Sequence, residues 1–185
     1  MKNRSAIFEF VCRCYVFVFL NLYALGKMVG MQFYRRGQLP TDVATTTLAD
    51  ASAFELGWTF MGYSPGYIFF IGISQLIGAW CLLFARSKLL GVAILLPIMV
   101  NIIVFDIFFL DQKGAIVNAS IYFLMLLFIL WHNRAQVTDA FNSLTTRHVN
   151  PVTAKPDRWV KLAAALVLAG VIFFLDQTLV GIVGR

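Results

Sequence analysis

Two long apolar runs joined by a short basic hinge constrain the fold of this chain more than any other feature. Residues 67–84 and 89–110 are predominantly apolar, and Arg86 and Lys88 lie in the connection between them. A hydrocarbon core about 30 Å thick needs roughly 20 helical residues, so each run is long enough to cross a membrane. Because the connection is so short, the two runs are predicted to form an antiparallel transmembrane hairpin.

The composition of the chain is that of a membrane protein. Apolar residues make up 60% of the 185 positions and charged residues only 13%, whereas roughly a quarter of residues are charged in a soluble domain. Further apolar stretches at residues 6–29, 115–131 and 160–180 are also long enough to span a bilayer. We therefore expect an all-α fold, a polytopic transmembrane helix bundle of five spans in contact with lipid, and we number these spans 1 to 5 in chain order.

The positions of Lys and Arg predict the orientation of the spans. Five spans place ten of the 15 basic residues on the side of the N-terminus and five on the opposite side. Because basic residues concentrate in cytoplasmic loops, the N-terminus is predicted to be cytoplasmic. The net charge of +6 comes mostly from residues beside span ends, so we expect no nucleic-acid partner.

Two of the connections between spans are long. Residues 51–66 carry aromatic side chains around the single charge of Glu55, which is typical of a short helix lying in the membrane interface. Under the predicted orientation this segment lies on the outer side. Residues 133–158 are polar and contain two prolines, so they are predicted to form a cytoplasmic loop before an additional C-terminal helix within residues 159–185.

Polar residues inside the spans indicate a candidate site. At 1.5 Å per helical residue, the polar groups of spans 1 to 3 are estimated to lie in the outer half of the membrane, beneath the aromatic segment. A polar cavity would gather these side chains, whereas the alternative is that Gln75 and Asn101 only join neighbouring helices by hydrogen bonds. The candidate ligand-binding residues are Lys27, Glu55, Trp58, Gln75, Asn101 and Asp106.

Two pairs of opposite charge are expected within the spans. Lys27 and Asp106 are predicted to lie close together across the interface of spans 1 and 3, directly or through water, because they differ by only about 5 Å in estimated depth. Glu9 and Arg13 are i,i+4 neighbours and are predicted to form a structural ion pair on a face of span 1 that points into protein. The alternative is that this pair only sets the position of the helix near the membrane interface.

The sequence contains no recognisable catalytic or metal-binding constellation. Cys12, Cys14 and Cys81 match neither a CxxC pair nor a zinc-site spacing, although a thiol pair between spans 1 and 2 stays open. His132 and His148 lie outside the apolar runs, so no haem-type histidine pair is expected. We expect the protein to bind no metal and no haem. The sequence offers little basis for predicting catalysis.

Several landmarks occur in a characteristic order along the chain. They are Arg13, the segment YALGK at 23–27, Gln32-Phe33, the segment WTFMGYS at 58–64, the hinge LLFARSKLLG at 82–91 and residues 101–109. Together they resemble the DoxX-like family of small bacterial integral membrane proteins over roughly residues 10–132. The resemblance implies a four-helix core over residues 1–132 in the bacterial inner membrane, with a link to quinone- or thiol-linked redox systems. The family has no settled catalytic residues that could be assigned here, and the fifth span lies beyond its core.

Two classes of function are therefore considered. The first is a non-catalytic subunit or scaffold of a larger membrane complex, which would pack against other membrane proteins through spans 4 and 5. The second is a binding protein for a small quinone-like or apolar molecule, linked to a membrane redox system. The poor catalytic inventory favours the subunit.

Overall fold

The computed structural model of the protein describes residues 2–110 and 113–145, together with positions 159, 163, 166–172, 174 and 178. The chain divides into two compact units, Met1–Ser143 and Leu144–Arg185. The described part contains helices and no strand, which confirms the all-α class. The helices are α1 (Lys2–Val29), α2 (Thr41–Thr45), α3 (Ala53–Gly62), α4 (Pro65–Leu83), α5 (Lys88–Phe109), α6 (Lys113–His132) and α7 (Arg134–Thr145).

Four of these helices are long and apolar enough to cross a membrane. They are α4, α5, α6 and the part of α1 from Arg4 to Val29. Contacts join them in a ring, in which α1 touches α4 and α6 while α5 touches α4 and α6. The predicted fifth span falls mostly outside the described residues and stays a prediction; the backbone at positions 166–172 of the second unit is helical.

The outward faces of the spanning helices are as apolar as their interior. Phe108 on α5 and Leu124 on α6 are each more than 60% exposed, and Ile77 on α4 is 53% exposed. In water such surfaces would be driven together, whereas hydrocarbon solvates them without penalty. The chain is therefore a multi-pass integral membrane protein, and a lipid bilayer is its environment.

The core of the first unit runs along the inside of the helix ring. Small and branched apolar side chains from each of the four spanning helices meet there and are almost completely inaccessible. Its most buried members are Val16, Leu20, Ala79, Leu82, Val92, Leu95, Leu126 and Ile129.

The predicted hairpin is formed by α4 and α5, and its two arms touch through their backbones. A Cβ atom at Gly91 would lie 2.7 Å from the Gly78 carbonyl oxygen and 2.8 Å from the Leu82 nitrogen. Small residues allow such an approach between membrane helices, where dispersion contacts replace the hydrophobic effect as the driving force. In the hinge, the Ser87 hydroxyl donates a hydrogen bond of 2.9 Å to the Cys81 carbonyl and so closes the turn.

The segment predicted to be an interfacial helix contains α3. Ser52 is its N-cap, and Ser64 and Pro65 occupy the N-cap and first position of α4, so one short turn links the two helices. A Cβ atom at Gly62 would lie 2.0 Å from the Tyr34 carbonyl oxygen, so only glycine fits where α3 meets the connection after α1.

The stretch predicted as a cytoplasmic loop begins with a helix instead. α7 covers 12 of its residues, and residues 146–158 lie outside the described part. Val137, Phe141 and Leu144 recur at i, i+4 and i+7, which is the spacing of one apolar helix stripe. The polar composition of the segment concealed this periodicity.

Four spans that begin at the N-terminus place residues 45 and 139 on opposite sides of the membrane. We expect single cysteines at Thr45 and Asp139, introduced into a cysteine-free background, to react with a membrane-impermeant maleimide from opposite faces of sealed vesicles. A cysteine at the lipid-facing residue Leu124 should not react from either face. Labelling of both loop positions from the same face would contradict the four-span arrangement.

The close crossing of α4 and α5 predicts that Gly91→Ala destabilises the protein. The added methyl group would press on backbone atoms of α4, and overpacking of this kind costs about 1–3 kcal/mol. Gly114→Ala is the matched control, because nothing lies within 4 Å of a Cβ atom at that position. Thermal unfolding in mild detergent should show a lower midpoint for Gly91→Ala alone; equal midpoints would mean that the two helices have room to separate.

Candidate functional site

A cavity of about 560 Å³ lies within the first unit. Its wall is built by α1, α3, α4, α5, α6 and the connection that follows α1. A volume of this size is within the range of small-molecule binding sites, roughly 300–1,000 Å³. Most of the wall is aromatic or aliphatic, and a few polar side chains interrupt it.

The cavity brings together five of the six residues proposed from the sequence as ligand-binding. Their arrangement follows from the helix ring, since α1, α4 and α5 each turn a polar side chain toward the same space while α3 covers it with an aromatic ring. The five residues are Lys27, Trp58, Gln75, Asn101 and Asp106.

Glu55 is the sixth candidate, and it does not line the cavity. Its carboxylate accepts a hydrogen bond of 2.7 Å from the Ser52 backbone N–H, while the Ser52 hydroxyl accepts one from the Glu55 backbone N–H. This reciprocal arrangement is a capping box, which satisfies two backbone donors at the start of α3. Glu55 therefore has a structural role at a helix end.

Trp58 covers the cavity as part of an aromatic cluster. Its ring centroid lies 4.7 Å from that of Phe54, 5.6 Å from that of Tyr34 and 5.7 Å from that of Phe33. The Trp58 carbonyl also accepts a hydrogen bond of 3.2 Å from the Tyr34 N–H. α3 and the connection after α1 thus hold the indole in place over the polar residues.

Lys27 and Gln75 form a buried polar contact between α1 and α4. The Lys27 ammonium donates a hydrogen bond of 2.9 Å to Gln75 Oε1, and the exposed fractions of the two residues are 7% and 1%. Because an ammonium can only donate, Gln75 must present its oxygen to Lys27. Gln75 therefore joins two helices, as the simpler alternative proposed, and it also fixes the ammonium at the cavity wall.

Asp106 has a different environment from Lys27. It is 8% exposed, and its carboxylate accepts no hydrogen bond and forms no ion pair with any residue in the described part of the chain. The predicted pair with Lys27 is not a direct one, since no ion pair within 4 Å joins the two residues, but both line the cavity and they interact electrostatically. Asp106 is not among the residues with a fully buried, unpaired side-chain atom, so its carboxylate is accessible from the cavity to a hydrogen-bond donor.

Other polar and bulky residues of the wall were not recognised as candidates from the sequence. Asn118 and Tyr122 of α6 line the cavity, and so does Pro97 of α5. Tyr122 is buried, with its ring stacked at 5.9 Å on that of Phe19. A tyrosine in the middle of an apolar run was the available signal, since its hydroxyl needs a polar surrounding.

The predicted pair of Glu9 and Arg13 is present at the end of the ring that carries the hinge. Arg13 Nη1 lies 3.6 Å from Glu9 Oε2, and Lys88 Nζ lies 3.2 Å from Glu9 Oε1. Asn133 Nδ2 donates to the same carboxylate at 3.4 Å. The Arg13 guanidinium also donates hydrogen bonds to the carbonyls of Leu82 and Leu83.

These contacts give the pair a defined structural purpose. A helix ends with carbonyl groups that have no partner within the helix, and a cation near them is stabilising. Arg13 of α1 supplies that cation at the C-terminal end of α4. Glu9, also of α1, contacts Lys88 at the N-terminal end of α5. The pair therefore joins α1 to the hinge of the hairpin. This role goes beyond the alternative, in which the pair only sets the position of α1 near the membrane interface.

The cysteines do not form a disulfide among themselves. Cys12, Cys14 and Cys81 are all free thiols, and Cys12 is buried in the core. Within the described ranges, no group of three His, Cys, Asp or Glu side chains is arranged to hold a metal ion.

The contacts of Arg13 predict a large effect of its removal. Arg13→Met should lower the free energy of unfolding by about 3 kcal/mol, because it leaves two helix-end carbonyls without a donor and Glu9 with one cation fewer. Thermal or denaturant unfolding in detergent would measure the loss. Arg86→Met, in the same hinge but exposed, should change stability by less than about 0.5 kcal/mol. Equal losses of stability in the two variants would contradict the role of Arg13 in joining α1 to the end of α4.

Comparison with known proteins yields one relative and no functional assignment. No protein-family model matches the chain, and no solved structure matches it. The chain is 33% identical over 120 residues to the uncharacterized protein YwoB of Bacillus subtilis, a match that covers 65% of this chain and 73% of YwoB. By that identity and coverage, the chain belongs to the same protein family as YwoB.

Proposed function

We propose that the protein binds a small amphipathic molecule within the membrane. The observation that carries this proposal is the cavity itself, in which Asp106, without a hydrogen bond or a direct ion pair in the described residues, shares a largely apolar wall with Lys27. Such a wall suits a ligand with an apolar body and one polar end. The function is binding, and no step of catalysis is assigned to these residues.

The energetic argument for a site starts from the cost of charge in hydrocarbon. An ionisable side chain in a membrane span is expensive by several kcal/mol, so it is retained where a pathway or a ligand uses it. At the hinge end, Glu9 and Arg13 have protein partners that account for them. Asp106 has no hydrogen bond and no ion pair within 4 Å in the described residues, which supports a role of its carboxylate toward a bound molecule.

The resemblance of the sequence to the DoxX-like family supports one class of ligand in particular. Members of that family are associated with quinone-linked and thiol-linked redox systems, so a quinone-like molecule is a candidate. The protein is further proposed to lie in a bacterial inner membrane with its N-terminus in the cytoplasm, on the distribution of its basic residues.

A non-catalytic subunit of a larger complex is the second candidate. The absence of a recognisable catalytic constellation in the sequence favoured it. The apolar outward faces of the helices suit protein partners as well as lipid, so they do not separate the two functions. The cavity shifts the preference toward ligand binding, because a purely scaffolding bundle has no need of an unpaired buried carboxylate.

The proposal is tested by filling the cavity. Ile98 of α5 lines the cavity, whereas Ile107 of the same helix is exposed and does not. Protein purified in mild detergent should carry an organic molecule that solvent extraction and mass spectrometry detect. Ile98→Trp should lose that molecule, and Ile107→Trp should retain it, with both variants folded by thermal unfolding.

Two outcomes would contradict ligand binding. One is that no organic molecule above the lipid background accompanies the parent protein. The other is that both tryptophan variants retain the molecule equally. Stable co-purification of the same membrane proteins with the parent and both variants would instead favour the subunit.

A further inference from the structure

The polar end of the cavity presents a donor and an acceptor that do not meet. Lys27 uses one N–H on Gln75 and keeps two further N–H groups, while the Asp106 carboxylate is acceptor-only when ionised. Both residues line the cavity and both are more than nine-tenths buried. The space between them therefore suits a group that accepts a hydrogen bond on one side and donates one on the other.

The opposite charges of the two residues restrict the polar end of the ligand. An anionic end would be attracted by Lys27 but repelled by Asp106, and a cationic end would be attracted by Asp106 but repelled by Lys27. An ether or ketone oxygen can accept from Lys27 but leaves Asp106 without a donor. A hydroxyl group carries one donor and two acceptor positions on a single atom, so it can serve both residues at once, whereas a neutral amide does so only with two separate atoms.

The rest of the wall suits the body of such a molecule. Phe70, Ile94, Ile98 and Phe105 present apolar surfaces along α4 and α5, and Trp58 of α3 also lines the cavity. The binding of an uncharged chain or ring becomes more favourable in proportion to the apolar surface area that it buries there.

We propose that the cavity selects neutral amphipathic molecules that end in a hydroxyl group. The hydroxyl oxygen accepts a hydrogen bond from Lys27 Nζ, and the hydroxyl hydrogen is donated to the carboxylate of Asp106. Gln75 acts as a positioning residue, since it holds the ammonium at the wall. This inference rests on the proposed ligand-binding function and names the chemical class that the same site would take.

The test uses three probes with the same body. Dodecanol accepts and donates, dodecyl methyl ether only accepts, and dodecane does neither. The full chain is placed in lipid nanodiscs, with Trp80, Trp131 and Trp159 replaced by phenylalanine. All three are exposed, so Trp58 becomes the single fluorescent reporter beside the cavity. Each probe is titrated at matched amounts per lipid.

We expect dodecanol to bind roughly tenfold more tightly than the ether, the size of one hydrogen bond to a charged group. Asp106→Leu should bring the two affinities together, and Asp106→Asn should reduce the preference while it preserves side-chain shape. Lys27→Met should weaken dodecanol and the ether but not dodecane. Asp42→Leu removes an exposed carboxylate outside the cavity and should leave the preference unchanged.

The outcomes separate this inference from the function on which it rests. Equal binding of dodecanol and the ether by the parent protein would overturn the hydroxyl preference, as would a preference that survives both Asp106 substitutions. If Ile98→Phe, which enlarges the side chain without adding a second tryptophan, abolishes binding of all three probes in that case, the cavity still binds ligands. If no probe binds the parent protein and no molecule co-purifies with it, both proposals fail.

Discussion

A charged side chain inside a bilayer must find its partners within the protein, and this requirement governs the arrangement of the described helices. The Glu9 carboxylate contacts Arg13 of α1, Lys88 of α5 and Asn133 in the turn between α6 and α7, and Arg13 extends the network to the end of α4. Since hydrocarbon offers no alternative partner, these contacts fix how α1, α4, α5 and α6 meet at the hinge end. The apolar core fills the space that this network defines.

The two ends of the helix ring treat charge in opposite ways. At the hinge end, each charged group of the Glu9 network is surrounded by protein partners, so the network stabilises the fold and leaves nothing for a ligand. At the end covered by α3, the polar groups face a cavity, and no direct ion pair joins Asp106 to Lys27. The contrast separates a structural ion pair from a candidate site more clearly than the presence of charge alone.

Sequence reasoning recovered the features that depend on length and composition. Apolar runs of sufficient length and a basic hinge predicted the spans and the hairpin, and depth along each helix predicted that Lys27, Gln75 and Asp106 would approach one another. It was wrong where a short-range contact determines the role of a side chain. Glu55 was assigned to the cavity, yet its carboxylate caps α3 through Ser52, and depth estimates do not register such short-range competition. The sequence also did not predict which face of each helix points inward. Apolar residues occupy both the inner and the outer faces, so little periodicity distinguishes the buried Gln75 from the exposed Asn101.

The reach of Arg13 has a consequence for how the chain enters the membrane. Its carbonyl partners lie 69 and 70 residues further along the sequence, in a hairpin that the ribosome completes only later. Until that hairpin is synthesised, the guanidinium has the Glu9 carboxylate and the Phe10 ring of its own helix, and Glu9 lacks Lys88. The polar contacts of the first helix are thus completed only when the next two helices have been made.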